Sequence, residues 1–126
     1  NTIITGVYAN SGGNQYMRST NDKSAQVKFF PTLLREAGYY CTNNSKEDYN
    51  VNGSQTKNIW NESGTKAHYK NRESGQPFFA VFNSTISHES SIHKLKPEGE
   101  LRHDPKKVKL PPYHPDTPAM RRDWAQ

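Results

Sequence analysis

Residues Gly75–Ser91 read GQPFFAVFNSTISHESS. Within them Phe78-Phe79-Ala80-Val81-Phe82 is the densest apolar run of a very polar chain. Gln76-Pro77 fences it in front, and a Ser/Thr/Asn cluster containing His88 follows. A short aromatic and β-branched run between breakers predicts a strand buried on both faces. Strands of that kind belong to parallel sheets covered by helices, so this run sets the fold class as α/β. In open α/β sheets ligands bind beyond the carboxyl ends of the strands, where residues 83–89 would lie. The strand therefore delivers His88 to a prospective site.

Upstream, Phe29-Phe30-Pro31-Thr32-Leu33-Leu34-Arg35-Glu36-Ala37-Gly38 predicts a short helix. Pro31 suits its first turn, Leu33, Leu34 and Ala37 form the expected apolar stripe, and Gly38 ends it. Tyr39–Asn44 then reads as a strand, which makes a helix–Gly–strand unit. Residues 1–9 suit a helix closing at Gly6 or in the Asn10–Asn14 run, and residues 15–28 are polar and irregular. Residues 51–76 read mostly as loop, apart from Trp60 and a turn at Lys66–Lys70. Residues 90–118 form a long connection, and a last helix starts at Pro118 with Asp116 or Thr117 as its cap.

The chain has 126 residues, so it holds at most one domain. Its hydrophobic fraction is 31% and its mean hydropathy −1.06, against roughly 45–50% apolar for an ordinary globular domain. Partial disorder or membership of a larger domain would each explain that shortfall. Helix-like patterns at both ends favour the second, so the expectation is an internal fragment, residues 1–126, of a single catalytic domain. In that case the flanking strands lie elsewhere and the apolar faces of the Phe78–Phe82 strand are partly exposed. A net charge of +5 favours polyanionic partners, but nothing resembles a nucleic-acid motif, and no apolar run is long enough to span a membrane. The densest basic cluster is Lys106-Lys107-Val108-Lys109. A single cysteine, Cys41, excludes a disulfide framework and a multi-cysteine zinc site within these residues.

Two predicted strands end in polar groups: Tyr39–Asn44 in Lys46 and Asp48, and Phe78–Phe82 in His88. If they are parallel and adjacent, all three gather at one rim of the sheet. A lysine and a donor histidine suit the oxygens of a sulfate or phosphate ester, where they would neutralise developing charge. The histidine could also protonate a leaving alcohol. On spacing alone the blander reading dominates: a lone lysine past a strand is usually solvated, and a histidine in a Ser-rich loop usually structural. His68, His93, His103 and His114 form no HxxxH or HExxH pair. His103-Asp104 is an orienting pair or, more simply, a turn before Pro105.

Several stretches resemble the sulfatase family. Thr2-Ile3-Ile4-Thr5-Gly6-Val7-Tyr8 is similar to the helix that follows its modified-cysteine motif, C-x-P-S-R. Leu34–Asn50, LREAGYYCTNNSKEDYN, is similar to the second signature of a bacterial branch. Pro77–Glu89 and Leu110–Pro118, LPPYHPDTP, followed by Arg121-Arg122-Asp123-Trp124-Ala125, resemble the same branch, which includes heparan N-sulfatase-like proteins. The resemblance implies an alkaline-phosphatase-like sandwich, with a mostly parallel central sheet covered by helices. It implies hydrolysis of a sulfuric ester or sulfamate on sulfated, glycosaminoglycan-like carbohydrate, in a periplasmic or secreted protein. Lys46 matches the sulfate-binding lysine and His88 the histidine proposed as proton donor. The family usually has a histidine where Asp48 stands, which leaves Asp48 or the adjacent Tyr49 to bind substrate, with His114 reaching the sugar.

A formylglycine nucleophile is expected upstream of Asn1, and calcium ligands outside residues 1–126, since calcium takes six to eight oxygens. These residues alone are thus expected to be inactive. The sequons at Asn43, Asn52, Asn61 and Asn83 are read as unused. A phosphodiesterase or phosphonate hydrolase of the same superfamily, or a non-catalytic polyanion-binding piece, are the alternative readings.

Overall fold

The computed structural model describes residues 1–126, the side chains of residues 91 and 92 excepted. The chain divides into two units, Asn1–Asn83 and Ser84–Gln126.

The first unit is built on a parallel three-stranded sheet. Its strands are β1 (Tyr40–Asn44), β2 (Glu62–Ser63) and β3 (Phe78–Phe82), in the order β2-β1-β3. Tyr40 pairs with Phe78 and Asn44 with Phe82, so β1 and β3 end at the same rim. Helix α1 (Thr2–Thr5), helix α2 (Ala9–Gly12) and helix α3 (Phe30–Glu36) precede the sheet. Gly38 adopts φ 90°, a left-handed conformation that only glycine enters freely. There the amides of Gly38 and Tyr39 close onto the carbonyls of Arg35 and Leu34, and the chain turns from α3 into β1.

Successive strand residues face opposite sides. Cys41 and Asn43 of β1 share one face with Phe79 and Val81 of β3. Ile4, Phe29, Val51, Ile59 and Trp60 close over that face, with Phe30, Leu34 and Tyr49 around them. Phe30 meets Trp60 and Phe79 edge-on at 6.2 and 5.2 Å, and Trp60 stacks over Phe79 at 6.3 Å. On the opposite face Tyr69 stacks on Phe78 at 4.4 Å, and His68 meets Phe82 at 5.4 Å. The Arg72 guanidinium lies 4.8 Å from the Phe78 ring. Also on that face, the Tyr40 hydroxyl donates to Glu62 at 2.8 Å. Burial, and secondarily the Glu62 carboxylate, pushes Tyr40 up to about 12.

Two expectations change, and a third, that residues 51–76 are mostly loop, holds with one addition. The Phe78–Phe82 strand is not buried on both faces: Phe78 is 42% and Phe82 53% exposed, and β3 is an edge strand among the described residues. The buried strand is β1, which has neighbours on both sides, and its Cys41, Thr42 and Asn43 are at most 1% exposed. The α3 stripe is shifted, with Leu33 and Ala37 exposed and Phe29, Phe30, Pro31 and Leu34 turned inward. Residues 51–76 are not all loop, because Asn61 builds β2 onto β1. Its side-chain oxygen accepts the Cys41 amide at 2.8 Å, and its own amide donates to the Cys41 carbonyl at 2.8 Å. The strands being parallel and adjacent agrees with the α/β expectation.

The second unit carries helix α4 (Pro118–Ala125) and three single-turn 3-10 segments at Glu89–Ile92, Glu98–Glu100 and Pro105–Lys107. Thr117 caps α4, its hydroxyl accepting the Met120 amide at 3.2 Å. Asp116 is engaged instead with Arg121. Asp104 caps the Pro105 turn by accepting the Lys106 amide at 2.9 Å, which settles the His103-Asp104 pair as a turn. The long connection therefore has structure of its own.

Candidate functional site

Beyond Asn44 the chain must leave the sheet while the strand's last polar groups stay paired. The Asn44–Ser45 peptide is cis. Asn43, inside the sheet, donates through its side-chain amide to the Lys46 carbonyl at 3.0 Å and to the Ser63 hydroxyl at 3.4 Å. That bond folds Lys46 back over the end of β1. From the neighbouring strand the Asn83 side chain donates to the Asn44 carbonyl at 3.1 Å and to the Asn43 oxygen at 3.4 Å. The Asn1 side chain donates to the Tyr49 carbonyl at 3.2 Å and fixes the far end of the same turn. Asn43 and Asn1 thus hold the two ends of residues 46–49, and Asn83 ties the end of β1 from which they leave.

The result is a cavity of about 550 Å³ at the carboxyl ends of β1 and β3. Lys46, Asp48, Tyr49, Asn43 and Asn83 line it on the polar side. Ile4, Phe30, Trp60, Phe79 and Val81 form its apolar wall. This is the place where the crevice rule puts ligands in such sheets.

Lys46 and Asp48 form an ion pair, Nζ to Oδ2 at 3.3 Å, with both side chains more than half exposed. Exposed pairs contribute little, about 0–1 kcal/mol, so a competing anion can displace the carboxylate. Tyr49 is half-buried, and its hydroxyl accepts the Trp60 indole N–H at 2.9 Å. Burial pushes it up to about 12, against the opposing effect of the Trp60 bond and with a smaller push from Glu47. At neutral pH Tyr49 is therefore a phenol whose own proton is available to an acceptor. Asp48, facing the same cavity as a carboxylate, can only accept.

His88 and His114 belong to the second unit, so the structure groups Lys46, Asp48 and Tyr49 in the cavity and not all five predicted residues. His88 caps the turn that follows it: its Nδ1 accepts the Ser90 amide at 3.2 Å and lies 2.8 Å from the Ser90 hydroxyl. With Nδ1 accepting, the neutral ring carries its proton on Nε2. His114 is half-buried between Tyr113 at 4.9 Å and Trp124 at 5.6 Å.

Sequence reasoning passed over Asn1, Asn43 and Asn83. The available signal was the Asn43-Asn44 pair at the very end of a strand that otherwise faces a core. The reading of Asn43 as an unused sequon fits its place: the residue is 1% exposed and its side-chain nitrogen is committed.

Comparison with curated proteins finds an ulvan-active sulfatase from Formosa agariphila. The two are 42% identical over a 102-residue alignment that takes in 71% of this chain. The chain spans 17% of that relative's length. No family model and no solved structure matches. Over most of its length, then, the chain is related to a sulfatase.

Proposed function

We propose that these residues form part of a sulfuric ester hydrolase acting on sulfated carbohydrate, within an alkaline-phosphatase-like domain. The observation that carries the reading is Lys46. It stands at the mouth of a cavity at the carboxyl ends of two parallel strands, in a chain related to a sulfatase.

Lys46 offers three N–H donors to the non-bridging oxygens of a sulfate ester and stabilises the charge they gain as the S–O bond breaks. The incoming sulfate takes the place that Asp48 holds in the free protein. Tyr49 is a neutral donor on the same wall and supplies the hydrogen bond that a carboxylate at position 48 cannot. For His88 the proposed role is the one the resemblance implies, proton donation to the leaving alcohol from its imidazolium form. By the same resemblance, a formylglycine nucleophile and a calcium ion would complete the proposed site.

The test is sulfate release from a sulfated polysaccharide by the full-length gene product. Lys46→Ala should lower kcat/KM by about a hundredfold or more, as loss of one such electrostatic donor does. Lys46→Arg should recover only part of it, because a planar fork replaces a compact ammonium. Unchanged kcat/KM in Lys46→Ala would remove the reading.

A further inference from the structure

The basic cluster Lys106–Lys109 has no part in the cavity just described. It lines a second cavity, of about 550 Å³, within Ser84–Gln126, together with His114, Asp116 and Arg121. The arrangement is built around Arg121. Its guanidinium grips Asp116 with two bonds, at 2.5 and 2.7 Å, and donates through Nη1 to the Val108 carbonyl at 3.0 Å and the Pro105 carbonyl at 3.4 Å. Arg121 is therefore a strut that ties both limbs of the Pro105–Asp116 loop to α4, with its charge spent on Asp116. The carboxyl of Asp116 is held below the usual carboxylate range by the Arg121 hydrogen bonds.

With that pair neutral overall, three positive charges remain around the cavity. Lys106, Lys107 and Lys109 are exposed, and none is in an ion pair among the described residues. Half-buried Val108, Leu110 and Pro111 lie between them. Pro105, Pro111, Pro112 and Pro115 restrict the loop backbone, so a ligand meets a surface that is already ordered. Tyr113, 79% exposed beside His114, offers a flat ring. Cations spaced around an apolar floor with an adjacent aromatic face suit a chain of sugars that carries anions.

We propose that this cavity binds a sulfated polysaccharide through rings other than the one at Lys46, as an anchoring subsite. The proposal rests on the sulfated-carbohydrate reading above, and its test measures binding rather than turnover. Isothermal titration of the full-length protein with dextran sulfate gives the reference affinity, and neutral dextran should not bind. Lys106→Gln, Lys107→Gln and Lys109→Gln together should weaken binding at least about 20-fold, given roughly fivefold per lysine near an anionic surface. The matched triple Lys57→Gln, Lys66→Gln, Lys70→Gln removes the same charge from exposed positions of the other unit, and should change affinity less than about threefold. Equal losses in the two triples would reduce the effect to net charge and overturn the proposal, as would binding of neutral dextran. Affinity lost only in the first triple, with no sulfate release by the full-length protein, would retire the catalytic reading and leave the anchor standing. Sulfate release with affinity intact in that triple would do the reverse.

Discussion

Strands β1 and β3 lie side by side and invert what their compositions suggest. Tyr-Cys-Thr-Asn-Asn is the buried strand, and Phe-Phe-Ala-Val-Phe is the half-exposed one. The difference is one of neighbours. β1 is paired on both edges, and inside it the Asn43 amide finds partners while the Thr42 hydroxyl does not. β3 lends Phe79 and Val81 to the core and leaves Phe78 and Phe82 under a thin layer of Tyr69, His68 and Arg72. Apolar content tells which residues can be buried. Position in the sheet decides which are.

That contrast can be broken most severely at Asn43. Replacing it by alanine removes the bonds that hold Lys46 and Ser63 and leaves the Lys46 carbonyl without that donor. Asn43→Ala should destabilise the first unit by about 2–3 kcal/mol, read from the urea midpoint. A loss below about 0.5 kcal/mol would mean that pairing of the backbone alone keeps β1 inside. Thr42 sharpens the point in the other direction. Its hydroxyl is buried without a hydrogen-bond partner. Thr42→Val should therefore stabilise by about 1 kcal/mol in the same titration, since an unsatisfied buried hydroxyl costs about 1–3 kcal/mol. A destabilised variant would show that the hydroxyl is paired after all. The smallest effect is expected at Phe82, the most exposed ring of the most apolar strand. Phe82→Ser should shift the midpoint by less than about 1 kcal/mol, for much of its apolar area already faces water. A loss comparable with Asn43→Ala would restore β3 as the organising strand.

Much of this was legible in the sequence where local chemistry decides. Gly38 closes α3, Thr117 caps α4, and the alternation of breakers and apolar runs marks β1 and β3 as strands. Two-residue β2 left no pattern, because Glu62 and Ser63 carry neither apolar character nor a turn signal. It exists through Asn61, whose side chain imitates a backbone partner. The burial order of the strands was hidden for the same reason: it depends on pairing between residues 20 to 40 positions apart. At the site, Lys46, Asp48 and Tyr49 could be read from their place just past a strand. The asparagines that fix them could not, since amide side chains are common in this chain and only geometry distinguishes the three that matter.

The indole–phenol bond between Trp60 and Tyr49 has an optical consequence. The chain has two tryptophans, one in each unit. Trp60 is 6% exposed at the wall of the Lys46 cavity, and Trp124 is 46% exposed on α4. Their emission therefore falls in two bands, a blue one from the dry ring and a redder one from the wet ring. A guest in the Lys46 cavity that draws on the Tyr49 hydroxyl perturbs the first band alone, and one seated near His114 and its Trp124 neighbour perturbs the second. Each unit thus carries its own reporter, and occupancy of the two cavities can be followed separately, by colour, in unlabelled protein.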